Sequence, residues 1–256
     1  MMGRYDRFTS PLIFFIALSF WSRAEELQVI AYDPPNEPYS FPAKKNRTGI
    51  FKDIFKKLEP LTGDQYIFNN YPFARAIKLF DAGKVDIEPG INPAWRQHTF
   101  EKGIYSIVFE RSIEVVVFVP GKKIKVRGPD DLAGKAVGMV RGYSYPRFDK
   151  AFHSGEIKRM DNLSETLLLE QLLAKRVNQV FVNLRTIQYE MQSRPEFRQF
   201  EIGDVVSAVD VMMRFHPSKE KALHRLNNGL KKLIESGDIE KIYAKYRLKD
   251  ATSIPK

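Results

Sequence analysis

Between residues 27 and 91 the sequence alternates β-type apolar runs with stretches whose apolar residues recur at helical spacing, and this alternation constrains the fold more than any other feature. Residues 27–32 read as a strand that breaks at Pro34, Pro35 and Pro38; after Gly49, the residues Ile50, Phe51, Ile54, Phe55 and Leu58 mark a helix. The unit then repeats. Residues 65–71 are strand-like, residues 74–82 carry Ala76, Ile77 and Phe80 on one helical side, Gly83 can end that helix, and residues 85–91 return as a strand. Strands and helices in alternation predict an α/β lobe with a mostly parallel sheet covered on both faces, in which ligands sit at the carboxyl ends of the strands.

A second α/β series follows. Residues 112–119 form a strongly apolar strand ending at Pro120, and residues 135–140 and 179–183 are further strands separated by a helix over 165–175. After a last strand-like run at 207–215 the chain turns helical, with one stripe of Leu223, Leu226, Leu230, Leu233 and Ile234 and another of Ile239, Ile242, Tyr243 and Tyr246. If the runs at 112–119 and 207–215 both cross between lobes, the final helices pack back on the first lobe and the double crossover is a hinge. The expected division is therefore 25–118 plus 209–256 for one lobe and 119–208 for the other.

Residues 1–24 are a separate object. Arg4 and Arg7 precede an apolar run at 11–21 and then Ser22-Arg23-Ala24, the pattern of a signal peptide cleaved after Ala24; a run of eleven residues falls short of the roughly 20 needed to span a bilayer. With no cysteine in the chain, disulfides and a lipid-modified cysteine anchor are both excluded. An exported protein without a tether is expected in the periplasm. The net charge of +10 falls to +8 once three arginines and one aspartate leave with the signal segment. Lys and Arg are interspersed with Asp and Glu, which suits long-range attraction of anions rather than a nucleic-acid footprint.

Short signals recur in a specific order: Glu37-Pro38-Tyr39-Ser40-Phe41, Gly49 with Asp53, Ala82-Gly83-Lys84-Val85-Asp86, Trp95-Arg96 with Tyr105-Ser106, Asp131-Leu132-Ala133-Gly134-Lys135, Arg141-Gly142-Tyr143-Ser144-Tyr145, and Gly237-Asp238-Ile239-Glu240-Lys241-Ile242-Tyr243-Ala244-Lys245-Tyr246. Over most of the mature chain this resembles the family 3 periplasmic solute-binding proteins, receptors for polar amino acids in ABC import. The resemblance implies two Rossmann-like lobes joined by a two-strand hinge, the type II periplasmic binding architecture. It also implies a monomer that closes around a small ligand and is recognised by a membrane permease, without catalysis or a cofactor.

It further implies site residues. Arg96 aligns with the family arginine that grips a ligand carboxylate through two parallel charge-assisted bonds. Gly142, Tyr143 and Ser144 lie between a strand and a helix, where free N–H groups attract an anion. Tyr39 lies where the family places an aromatic wall, Phe73 and Trp95 are further aromatic candidates, and Arg75 follows a Tyr-Pro-Phe-Ala stretch found in one branch. The aspartate that usually meets the ligand ammonium is replaced by Asn183, so an anionic, carboxylate-bearing solute is expected unless Glu88 or another carboxylate takes over that charge. Glu88 is also the strand-borne candidate for proton transfer in the enzymatic alternative, a cyclic-acid dehydratase; a ligand-sensing input for a membrane receptor is the other. The four histidines, His98, His153, His216 and His224, show no metal-ligand spacing.

Overall fold

The computed structural model describes residues 24–246; the apolar run of the expected signal peptide lies outside the described residues. Strands β1 (Glu26–Tyr32), β2 (Gln65–Tyr71) and β3 (Ile87–Ile91) alternate with helices α1 (Ile50–Thr62) and α2 (Phe73–Asp81). A short β4 (Ile104–Tyr105) and the longer β5 (Glu110–Phe118) lead into the second series. That series comprises β6 (Ala136–Val140), α3 (Pro146–Ser154), β7 (Lys158–Asn162), α4 (Glu165–Leu173), β8 (Gln179–Asn183) and α5 (Leu184–Ser193). The chain closes with the fifteen-residue strand β9 (Glu201–Phe215), α6 (Glu220–Glu235) and α7 (Asp238–Lys245).

The strands run in the order β2-β1-β3-β9-β5-β8-β6-β7, with β4 also on β9. Each half of the array is parallel, β1 with β2 and β3 on one side and β6 with β7 and β8 on the other. The centre departs from the parallel expectation, because β5 and β9 join their neighbours antiparallel. Strand β9 runs back through both halves, pairing with β5 along residues 201–211 and with β3 at residues 212–215, so one continuous segment ties them together.

Each half has its own core. Leu27, Ile50, Ile54, Phe55 and Leu58 pack with Leu223, Leu226, Leu230, Ile239 and Ile242, so the terminal helices do lie on the first half. Ile234 is the exception to the expected stripe and faces solvent. In the second half Val115 and Val117 pack on one face of the sheet with Leu168, Leu172 and Val180, while Val116 and Phe118 pack on the other with Met139, Phe148 and Phe181. This strict alternation along β5 is the two-residue period of a strand buried on both faces. Among the described residues no helix is long and apolar enough to cross a membrane.

Candidate functional site

The first wall is built at the carboxyl end of β3. Asn92 Oδ1 accepts the Ala94 N–H at 2.9 Å and caps the single turn Pro93–Arg96, which turns Arg96 inward until only 5% of it is exposed. Its Nε donates to both Glu88 oxygens at 3.1 Å, Nη1 to the Trp95 carbonyl at 3.0 Å and Nη2 to the Tyr32 hydroxyl at 3.3 Å, with a further short contact to Glu88. Glu88 faces Arg214 in the β3–β9 pairing and accepts its Nη1 at 2.7 Å. The Tyr32 hydroxyl donates to the same carboxylate. Burial pushes the Glu88 carboxyl up, but the Arg96 guanidinium, and then Arg214, pull it below the usual carboxylate range.

This cluster changes what Arg96 has to offer. Four of its five N–H donors are occupied within the first half, and the charge that a ligand carboxylate would neutralise is already met by Glu88. Three other donors of Arg214 go to the Lys102 carbonyl, Thr99 Oγ1 and the Glu101 carbonyl.

Aromatic rings cover the cluster. Phe73 stacks on Tyr32 with centroids 5.5 Å apart, and the Arg96 guanidinium stands 5.3 Å from its ring. Phe73 in turn presses on Gly142 from the second half, where a Cβ would lie 2.3 Å from the ring. With φ at +85°, Gly142 meets two requirements that only glycine satisfies, a left-handed backbone and room for the opposing ring.

The second wall centres on Asn183 at the end of β8. Its Oδ1 accepts the Tyr39 hydroxyl from the first half at 3.0 Å and the Arg185 N–H at 2.9 Å; its Nδ2 donates to Ser112 Oγ and Glu114 Oε1, each at 2.9 Å. Glu114 is Asn183's partner in the β5–β8 register. The Glu114 carboxylate also receives Ser112 Oγ at 3.1 Å and the Tyr145 hydroxyl at 3.3 Å. Glu165, first residue of α4 after the Ser164 cap, accepts the Asn183 N–H at 3.2 Å. Burial raises the Glu114 carboxyl, whereas hydrogen bonds from Asn183, Ser112 and Tyr145 hold it back. Glu165 is pushed up to about 8 by burial and then by the charge of Glu114.

Tyr143 links the two walls. Burial raises its hydroxyl, and the same hydroxyl feels Glu165 and Glu114 on one side and Tyr32 and Arg96 on the other. Tyr39, Phe73, Arg96, Gly142, Tyr143, Asn183 and Glu88 are thus brought together. Ser144 lies at the edge: its Oγ donates to Asp149 Oδ2 at 2.6 Å, in the first turn of α3, so its hydroxyl is engaged locally. Trp95 packs against the first core and contributes its carbonyl. Arg75 is exposed on α2, with its guanidinium 5.7 Å from the Tyr71 ring.

Sequence reasoning missed Tyr32, Arg214, Ser112, Glu114, Tyr145 and Glu165. Two of these carried a signal. A glutamate inside the run 112–119 and an arginine inside the run 207–215 are charges in strands that otherwise read as core, and such charges need partners. Among the described residues no group of three or more His, Cys, Asp or Glu side chains is placed to hold a metal ion.

Two parallel half-sheets tied by shared antiparallel strands, with polar and aromatic side chains meeting between them, define a two-lobed binding protein. The chain belongs to the bacterial extracellular solute-binding proteins, family 3, whose model matches residues 29–249. Its fold is similar to an ancestral arginine-binding protein bound to arginine (TM-score 0.73, 18% identity, 86% of this chain and 97% of that one). Similar too are the arginine-, lysine-, histidine-binding protein ArtJ from Geobacillus stearothermophilus (0.72, 19%, 90% and 97%) and the ancestral amino acid-binding protein AncCDT-1, a precursor of cyclohexadienyl dehydratase (0.71, 18%, 87% and 96%). No curated protein sequence matches significantly.

Proposed function

We propose that the protein is an exported, monomeric binder that closes on a small polar solute between its halves and presents it to the permease of an ABC importer. The observation that carries this reading is the meeting of side chains across the two halves, with Tyr39 on Asn183 and Phe73 on Gly142. Arg47 adds to it by donating to the Tyr189 hydroxyl at 2.6 Å. These contacts are broken in an open form and remade on closure, so a ligand that bridges the walls stabilises the closed form by its differential affinity. We place the hinge where β5 and β9 leave the shared pairing, near residues 110–112 and 210–212, because Val115–Phe118 pack entirely in the second half's cores.

Binding without turnover is the reading we favour. The Glu88 carboxylate is held ionised between two guanidiniums, which leaves it a weak proton acceptor. The test is a thermal-shift screen of the mature chain against amino acids, amines, dicarboxylates and cyclic acids, followed by small-angle scattering with each hit. A ligand at 100 times its dissociation constant adds about 2.7 kcal/mol of stability. Expected is a hit that shortens the radius of gyration and is recovered unchanged in mass.

A further inference from the structure

We propose that Glu114 and Glu165 form the seat for a cationic nitrogen of the solute, and that its binding displaces a proton from the pair. This rests on the solute-binding reading above and names the charge that the site selects. The first observation is an imbalance of charge. In the first half one carboxylate, Glu88, meets two guanidiniums. In the second, two carboxylates lie within electrostatic reach of each other, each at most 5% exposed, and among the described residues no cationic side chain is bonded to either.

Every element around the pair supplies neutral groups: Ser112 from β5, Tyr143 and Tyr145 from the segment before α3, Asn183 from β8, Thr186 from α5, and Asn36 and Tyr39 from the first half. The cations that approach those rings are bound elsewhere, Arg96 to Glu88 and Arg185 to Glu110 at 3.1 Å.

The second, independent observation is a pair of buried oxygens without a hydrogen-bond partner of good geometry. They are the Thr186 hydroxyl, in a wholly buried side chain, and the buried Asn36 Oδ1, and both residues stand beside Glu165. Two carboxylates and two unmet oxygens at one place call for a partner rich in N–H donors, an ammonium or guanidinium group. Asn183 fits this picture. It carries no charge of its own, but its Nδ2 is bonded to Glu114, its register partner, so the negative charge has moved one strand over.

The raised affinity of Glu165 for a proton, up to about 8, means that Glu165 holds a proton at neutral pH. A cation favours the doubly ionised form, and the proton leaves to solvent. Affinity for the cation therefore rises about tenfold per pH unit below about pH 8 and levels off above it.

The experiment is titration calorimetry of the mature protein with L-arginine, agmatine and putrescine as cationic probes and succinate and L-glutamate as anionic ones. Titrations at pH 7 in phosphate and in Tris separate proton release from binding heat, and this measurement needs no variant. Expected is a cationic probe that binds with proton release, and a loss of about tenfold or more in Glu165→Gln and in Glu114→Gln. Tight binding of succinate with no cationic probe binding would overturn the cation seat while leaving the solute-binding reading intact. So would a cationic probe whose affinity stays within threefold in both variants. If no probe in either arm binds or closes the protein, both readings fall.

Discussion

Arg214 Nη1 stands 2.7 Å from Glu88 Oε2, the two residues facing each other in the β3–β9 pairing with both side chains fully buried. Arg96 reaches the same carboxylate from its turn, so Glu88 is the hub on which two guanidiniums depend. Glu88→Gln removes the one negative charge and leaves two buried cations without a counter-ion, a loss expected to cost about 3–5 kcal/mol. Arg96→Ala costs less, because Glu88 keeps Arg214. Urea unfolding of the two variants gives the order; an Arg96→Ala variant less stable than Glu88→Gln would show that the carboxylate is not the hub.

Phe73 and Gly142 carry closure in a second way. Gly142→Ala places a side chain on a left-handed backbone, which costs about 1–2 kcal/mol, and the new Cβ also meets the Phe73 ring. Truncating the ring in that background by Phe73→Ala relieves only the contact. The double variant is therefore expected to be more stable than the sum of the single losses predicts, with a coupling of about 0.5 kcal/mol or more. Strict additivity in denaturant unfolding would mean that the two halves do not meet at this point in solution.

Tyr39→Phe removes the hydroxyl that donates to Asn183 Oδ1, while that oxygen keeps the Arg185 N–H. No buried acceptor is orphaned, so the loss should be modest, about 0.5–1.5 kcal/mol, and should fall on the closed form alone. Small-angle scattering of the unliganded variant is expected to give a larger radius of gyration than wild type. An unchanged radius would place the hydroxyl outside the closure equilibrium.

The fold was legible because its signals are local. The apolar spacing of Ile50, Ile54, Phe55 and Leu58, the strand at 179–183 and the stripe from Leu223 to Leu233 each follow from periodicity within one element, and all are buried as expected. The antiparallel centre was not legible, since pairing between β3 and β9 joins residues more than a hundred positions apart. The site divides in the same way. Arg96, Tyr39 and Asn183 could be named from the resemblance to family 3, which rests on short local motifs. Their partners could not. From the sequence Glu88 is a candidate for the ligand ammonium or for proton transfer, because Arg214, 126 residues away, is brought to it only by the return of β9. Glu114 and Glu165 come from different elements, a strand and the first turn of a helix, and no spacing in the sequence links them.

The carboxylates also set how stability depends on pH. In the unfolded chain Glu165 titrates near the ordinary value of about 4.3, whereas in the folded protein it is raised to about 8. Between those values the folded protein holds a proton that the unfolded chain has released. A group raised on folding contributes its full stability below the lower value and loses it as pH climbs through the higher one. Stability should therefore fall from about pH 5 to pH 8, by up to ~1.4 kcal/mol per pH unit for the one proton involved. Glu114, Tyr143, Tyr145, Asn183, Thr186, Asn36 and Tyr39 face the group, and none of them is a cation that could hold it ionised. Glu88 works in the opposite sense. Its carboxyl is lowered on folding, so its contribution is present above about pH 4.3 and is lost as pH falls further. The two slopes together place the stability maximum on the acid side of neutrality. Urea midpoints of wild type and Glu165→Gln at pH 5, 6.5 and 8 check this, with a falling series expected for wild type and a flatter one for the variant. Equal slopes in the two proteins would show that Glu165 does not hold the proton.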